Sequence, residues 1–422
     1  MKVTLLSYED GGGGAGRAAL RLHSAMLDSG VDCTLRVARK SSDLPAVIGP
    51  TTLIQKLSKN LNLQITEPLM RLQRSSNKGL HSPAWLPTGI VTELNNSDAD
   101  VLQLNWICGL ITIEEIGKLT KPLIWRLSDM WAFSGTEHYG EDGFNARWRI
   151  GYKSKNRALA DSGLDIEKWV WGRKLSSWRK PIHIVAPSRW LADCAKQSVL
   201  MRDWPVTIIP TAVDINQFRP WPKAFARELF RLPPDSSLIL FGALDGGTDP
   251  RKGRAFLESA LGIVARKVPR SAGVIFGQSE PLHPPRLGLP LYWTGHLTDD
   301  ITLSLLYSAA DVMVLPSRQD NLPQTGIEAQ CCGCPVVTFD CSGLPDLIQH
   351  KNTGYLAKAF DIAELALGIE WVLESQERLR QLSTAARDRA LRLWAPSIVI
   401  PKYLDLYRNA IDSKRANERG AQ

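Results

Sequence analysis

The opening segment restricts the fold most. Lys2–Ser7 is a short apolar run of strand type, and Asp10 is followed by Gly11, Gly12, Gly13, Gly14 and Gly16. From Arg17 to Asp28, Ala18, Leu22, Ala25 and Met26 recur near helical spacing; Gly30 stops the helix and Val31–Ala38 reads as a second strand. A strand, a glycine loop, a helix and a further strand make up the opening unit of a doubly wound α/β domain.

The alternation continues along the chain. Asp100–Trp106, Pro122–Leu127, Ile182–Pro187 and Val206–Pro210 read as further strands, and Ile54–Gln73 as a basic amphipathic helix broken near Pro68. Asn216–Pro222, with two prolines close together, reads as a linker. A second series follows, with strands at Leu238–Ala243, Ala272–Gly277, Leu291–Thr294, Val312–Pro316 and Pro335–Phe339. Its helices are expected at Arg254–Arg266, Ile301–Ala309 and Gly326–Cys332. A length of 422 residues accommodates two such domains. The expected division is 1–215, 216–395 and a C-terminal helix and tail over 396–422, with a cleft where the two domains meet.

Composition excludes several classes. Apolar residues are 44% and charged residues 22%, which does not suit a disordered chain, a collagen or a coiled-coil rod. No apolar run reaches the ~18 residues of a membrane span, and the N-terminal apolar run is too short for a signal peptide. Seven scattered cysteines argue against a disulfide framework and for a reducing cytosol. The net charge is +8, and part of the excess is concentrated. Asn145–Lys180 holds ten Lys/Arg against three Asp/Glu, together with Trp148, Trp169, Trp171 and Trp178. Such a stretch suits an anionic surface, or else a solvated helix face over buried indoles.

Three motifs carry chemistry. Residues 11–16 match G-x-G-x-x-G between a strand and a helix, where backbone amides can approach a phosphate. The acidic residue that a dinucleotide ribose requires is missing, because the second strand ends Arg36-Val-Ala-Arg39; NAD is disfavoured and NADP stays open. Asp249-Pro-Arg-Lys-Gly253 places Arg251 and Lys252 just before a helix, where they can neutralise a diphosphate. The third motif, Pro316 to Val337, puts Asp320 in a loop and Glu328 on the following helix, two carboxylates suited to vicinal hydroxyls.

The segment Asp249–Leu356 resembles the retaining glycosyltransferases of family four, which have the GT-B fold. The pair Asp320…Glu328, the run Asp320-Asn-Leu-Pro to Gly343-Leu-Pro-Asp346, and Tyr307–Ser317 carry the resemblance. Gly13–Ala19, Leu127–Tyr139, Val185–Ala195 and Ile208–Pro220 extend it to a branch that builds bacterial surface polysaccharides. The resemblance implies two Rossmann-like domains and a nucleotide-sugar donor, UDP- or GDP-linked. It also implies transfer with retention of configuration, without cofactor or catalytic metal. Glu328 would bond the ribose, and Asp320 the sugar hydroxyls, beside the amides of Asn321 and Leu322. Lys252 and Arg251 would meet the diphosphate, with Gly13 and Gly14 approaching it, and the base would sit near His296. Asp129 and His138 match cleft-facing positions of that branch and are catalytic candidates.

Some positions depart from the family pattern. Ala243 stands where many relatives have Arg, and Asn105 or Ser128 where some have His. Asp98-Ala-Asp100 is a literal metal-binding D-x-D, but its polar setting favours a turn. Cys331, Cys332 and Cys334 lack a second ligand pair at zinc-finger spacing and read as packing at a helix end. The expected partners are the nucleotide-sugar, a glycan or lipid-linked glycan acceptor and an anionic membrane surface, with no nucleic acid. The expected location is cytoplasmic, at the inner membrane face. The competing readings are an NADP-dependent oxidoreductase and a non-catalytic module binding a nucleotide-sugar or RNA.

Overall fold

The computed structural model describes residues 1–242 and 249–420. Contacts divide the chain into two units, Met1–Thr211 with Ile400–Gln422, and Ala212–Val399.

In the first unit the described residues form a seven-stranded sheet. Its order is Val47–Ile48, Asp32–Arg39, Lys2–Glu9, Val101–Leu104, Leu123–Arg126, His183–Ala186, Val206–Ile208. Every pairing is parallel. The sequence order reverses between Lys2–Glu9 and Val101–Leu104, so the glycine loop and the loop after Leu104 both leave the sheet at a topological switch point. Strands covered on both faces read as continuous apolar runs, and Leu5, Leu6, Leu102 and Leu104 are fully buried. Gln103 is buried among them because Tyr407, on the helix Pro396–Gly420, donates its hydroxyl to Gln103 Oε1 at 2.5 Å.

The second unit has a six-stranded parallel sheet, ordered Leu291–Trp293, Ser271–Phe276, Ser237–Gly242, Val312–Leu315, Val336–Phe339, Gly354–Ala357. Numbered within the unit, that order is 3-2-1-4-5-6, the arrangement of dinucleotide-binding folds, and its switch point lies between Ser237–Gly242 and Val312–Leu315. Helices cover the sheet, with Arg254–Lys267 and Ile362–Leu373 packed over Ile239, Val312, Val314 and Val337.

Two readings shift. The helix Leu53–Arg71 runs through Pro68 instead of breaking there; a proline this near the end removes one hydrogen bond from the final turns only. The strand expected to reach Ala243 is observed as Ser237–Gly242, and Ala243 lies outside the described residues.

Candidate active site

Asp320 and Lys252 leave the second sheet from the two strands that flank its switch point. The two loops are tied together. Arg318 N donates to Arg251 O at 2.7 Å, and the Arg251 guanidinium to Gln319 O at 2.8 Å. Gly253 has φ +71°, and a Cβ there would stand 1.9 Å from Pro316 O, so only glycine allows this approach. Lys252 Nζ thereby reaches Asp320 Oδ2 at 2.6 Å, with Arg251 Nη1 3.8 Å from the same oxygen. The carboxylate is fixed: its side chain is 10% exposed, whereas that of Lys252 is 45% exposed. Ser342 Oγ accepts from Asp320 N, and Asn321 N donates to Asp320 Oδ1 at 3.1 Å. The Asn321 amide is therefore engaged within the loop, and Leu322 is buried.

Burial alone would lift the Asp320 carboxyl, but Lys252 and then Arg251 hold it below the ordinary carboxylate range. A carboxyl depressed in the folded state contributes stability that is complete above its unfolded value of about 4 and is lost as pH falls through the folded value. The urea midpoint of the second unit should accordingly fall as pH drops below about 4, and Asp320→Asn should flatten that limb. Equal acid slopes for the two proteins would contradict the pairing.

Glu328 lies on the helix Gln324–Cys331, whose first turn holds no acidic residue. Glu328 is 2% exposed and accepts the Tyr307 hydroxyl at 2.6 Å. Spacing alone does not single out Tyr307; its signal in the sequence is its place at the start of the run Tyr307–Ser317. His296 is exposed, next to Gly295, whose carbonyl accepts from Gly277 N at 2.8 Å.

In the first unit the glycine loop is compact. Gly16 sits where a Cβ would meet Gly11 O at 2.5 Å, and Gly12 has φ +77°. Gly13 caps the helix Gly14–Asp28, and its N–H donates to Glu9 Oε1 at 3.0 Å, while the Cβ position of Gly14 faces open space. A carboxylate of the chain itself thus sits where the loop offers an amide. Asp10 instead receives both amides and both hydroxyls of Ser41 and Ser42.

Asp129 Oδ2 lies 2.6 Å from His138 Nδ1 and 2.9 Å from the Trp106 indole nitrogen; Oδ1 accepts from Trp131 N. Burial would raise this carboxyl, but His138 and these donors hold it below its ordinary value. His138 Nε2 is 2.9 Å from Ser82 Oγ, and the ring lies near the indoles of Trp106 and Trp131. With both nitrogens engaged and its side chain 3% exposed, His138 has the geometry of a positioning group. Behind this loop Lys174 is fully buried. Its ammonium donates to the carbonyls of Trp131, Ser134 and Gly135 and lies 3.8 Å from the Trp131 ring centroid.

The basic stretch is therefore not a uniform charged face. Trp148 and Trp178 are buried, Arg173 is bound to Glu114 and to the carbonyls of Pro83 and Ala84, and Lys174 is interior. Arg179, Lys180 and Trp169 remain exposed. Asp98 and Asp100 both bond residue Lys2, at its ammonium and its amide respectively, as suits a turn that closes a strand end. Cys331, Cys332 and Cys334 are buried.

Over 227 residues the chain is 30% identical to D-inositol 3-phosphate glycosyltransferase 2 of Catenulispora acidiphila, covering 50% of this chain and 52% of that protein. The chain spans about half the length of the curated relatives it matches. Sucrose-phosphate synthase of Thermosynechococcus elongatus superposes over 98% of this chain and 100% of its own, with TM-score 0.67 and 17% identity. Alr3699/HepE of Anabaena, solved with UDP-glucose, covers 97% of this chain and 100% of its own, with TM-score 0.64 and 16% identity. These likenesses show the GT-B fold, with two parallel-sheet, Rossmann-like units. Residues 286–389, which include His296, Asp320, Asn321, Leu322 and Glu328, match the family described as Glycosyl transferases group 1.

Proposed function

We propose that this protein is a glycosyltransferase that moves a sugar from a UDP- or GDP-linked donor to a glycan or lipid-linked glycan, with retention of anomeric configuration. The observation that carries the reading is the Lys252–Asp320 pair, with Arg251 beside it, at the switch point of the second sheet, where Asp320 falls among the residues that match the group 1 family. The leaving diphosphate gains negative charge as the glycosidic bond breaks. A half-exposed ammonium already held in place by a buried carboxylate meets that charge with little reorganisation. Asp320 is anchored to accept hydroxyls of the transferred sugar, and Glu328 those of the ribose. The base lies beside the backbone at His296. No cofactor or catalytic metal enters this scheme. On the acceptor side, Asp129 and His138 act by holding Trp106 and the segment that begins at Trp131.

The test uses a panel of nucleotide-sugars with donor hydrolysis as readout. Glu328→Ala should weaken binding of the active donor by roughly 1.5–3 kcal/mol for each charged hydrogen bond lost. Glu328→Gln keeps an acceptor for Tyr307 and separates this loss from a folding defect. Hydrolysis of none of the donors, or an unchanged KM in both variants, would sink the reading. Hydride transfer from NADPH would support an oxidoreductase instead.

A location at an anionic membrane face is part of the proposal. No helix among the described residues is long and apolar enough to cross a membrane. The strands Gln73–Arg74 and Ser162–Gly163 pair antiparallel and bring exposed Leu72 and Leu164 together, with exposed Leu159 nearby in sequence. Arg74, Lys78, Lys155 and Lys168 are exposed in the same two stretches of the sequence. Basic residues near such a surface contribute about 1 kcal/mol each. The protein should sediment with anionic vesicles at low salt and be released as salt rises. Charge reversal at Arg74, Lys78, Lys155 and Lys168 should abolish sedimentation and spare donor hydrolysis. Equal recovery in the supernatant with and without vesicles would exclude the contact.

A further inference from the structure

His81, Glu137 and Glu167 come from three separate segments of the first unit, and each offers one ligand atom within 4.8 Å of the others. His81 and Glu137 face each other across an antiparallel bridge, and His81 Nδ1 lies 4.0 Å from Glu167 Oε1. His81 Nε2 is 3.1 Å from Asn77 O. A carbonyl only accepts, so Nε2 carries the proton and Nδ1 presents its lone pair to the cluster. The Thr136 hydroxyl, 2.8 Å from Nδ1, serves that lone pair and can rotate away.

Glu137 is 6% exposed. Its Oε1 accepts the Tyr152 hydroxyl, but its Oε2 is buried without a hydrogen-bond partner. A Cβ on Gly135 would stand 2.9 Å from that oxygen and 2.7 Å from Glu167 Cβ, so only glycine lets this segment pack so close to both residues. Glu167 accepts from Gln73 Nε2 at 2.8 Å and from Arg147 at 3.1 Å. The cations nearby are committed elsewhere as well: Arg147 makes two bonds to Asp165, and Lys174 serves three carbonyls. Burial, and then the Glu137 charge, lifts the Glu167 carboxyl to about 7.

We propose that His81, Glu137 and Glu167 form a structural site for a divalent transition cation, Zn²⁺ foremost. One imidazole nitrogen and two carboxylate oxygens are donors that suit this ion. Asn77, Tyr152, Gln73 and Arg147 are the outer partners that orient the three ligands. Tetrahedral Zn²⁺ sets its ligand atoms about 3.4 Å apart, so the side chains close in by about 1 Å on binding. The ion would pin the segment carrying Asp129 and His138 to the helix Ile166–Ser177. It takes no part in donor chemistry, so this inference stands or falls separately from the glycosyltransferase reading.

The experiment is metal analysis and thermal melting of the full chain, produced in medium supplemented with Zn²⁺. The wild-type protein should hold about one ion per chain, and His81→Ala and Glu137→Gln less than about a tenth of that. A chelator should lower the wild-type Tm by several degrees, with recovery on adding Zn²⁺, and leave both variants unmoved. Glu137→Gln keeps the volume and an acceptor for Tyr152, which guards against simple misfolding. Absence of stoichiometric Zn²⁺, Mn²⁺ or Co²⁺ with a Tm indifferent to chelator would overturn the proposal, as would full metal content in either variant. A Tm that falls as pH rises through neutrality, whatever the metal, would assign the space to a proton shared by the carboxylates and overturn it equally.

Discussion

Lys252→Ala should lower the rate of sugar transfer by roughly 10²–10³, the loss expected when one group that stabilises developing charge is removed. The effect should fall on kcat more than on KM, because the charge on the diphosphate grows as the bond breaks. Lys252→Arg should recover part of the rate. Arg251 stays 3.8 Å from Asp320 in the variant, so the carboxylate keeps one cationic neighbour, and a melt alongside the kinetics separates catalysis from folding. Added Mg²⁺ or Mn²⁺ should not raise the rate of either protein. A wild-type rate that depends on Mg²⁺, or a Lys252→Ala variant with an unchanged kcat, would place the charge neutralisation elsewhere.

The second large effect is on stability. Lys174→Met removes the donor from three buried carbonyls, those of Trp131, Ser134 and Gly135. Each unsatisfied group costs about 1–3 kcal/mol. Urea unfolding of Lys174→Met should show a loss in that range. Arg179→Glu with Lys180→Glu should change stability by less than about 0.5 kcal/mol, since both side chains are exposed. If Lys174→Met unfolds within about 1 kcal/mol of the wild type, the cation is not holding the loop. The contrast matters because all three lysine and arginine positions lie in one basic run of the sequence.

Local pattern carried the architecture. Lys2–Ser7 and Asp100–Trp106 could be read as strands because residues buried on both faces leave an unbroken apolar run, and the glycines between Asp10 and Arg17 marked the loop. The two-residue strands Gln73–Arg74 and Ser162–Gly163 were invisible, since two residues have no periodicity and the partners lie far apart in the chain. At the candidate site Asp320, Glu328 and Lys252 were legible from spacing and resemblance. What spacing did not carry was which oxygen faces what. The burial of Glu328 depends on Tyr307, that of Lys174 on carbonyls about forty positions upstream, and the engagement of Gly13 on Glu9, whose side chain turns back onto the loop. The same limit applies to Arg173, which reads as surface charge until Glu114 and Pro83 are seen beside it.

The helix Pro396–Gly420 has a consequence for how the chain is made. Tyr403 and Tyr407 are fully buried in the first unit, and the Tyr407 hydroxyl completes Gln103 inside its sheet. The whole of Ala212–Val399 separates these residues from the strands they finish. Synthesis at about 5–20 residues per second leaves the nascent first unit without them for on the order of ten seconds or longer. During that interval the side-chain oxygen of Gln103 lacks its Tyr407 partner, although its nitrogen still bonds Asn105, and the seat of two tyrosines is bare. The second unit is contiguous and can close while it is being made. The half of the molecule that the ribosome delivers first is therefore the half that finishes folding last.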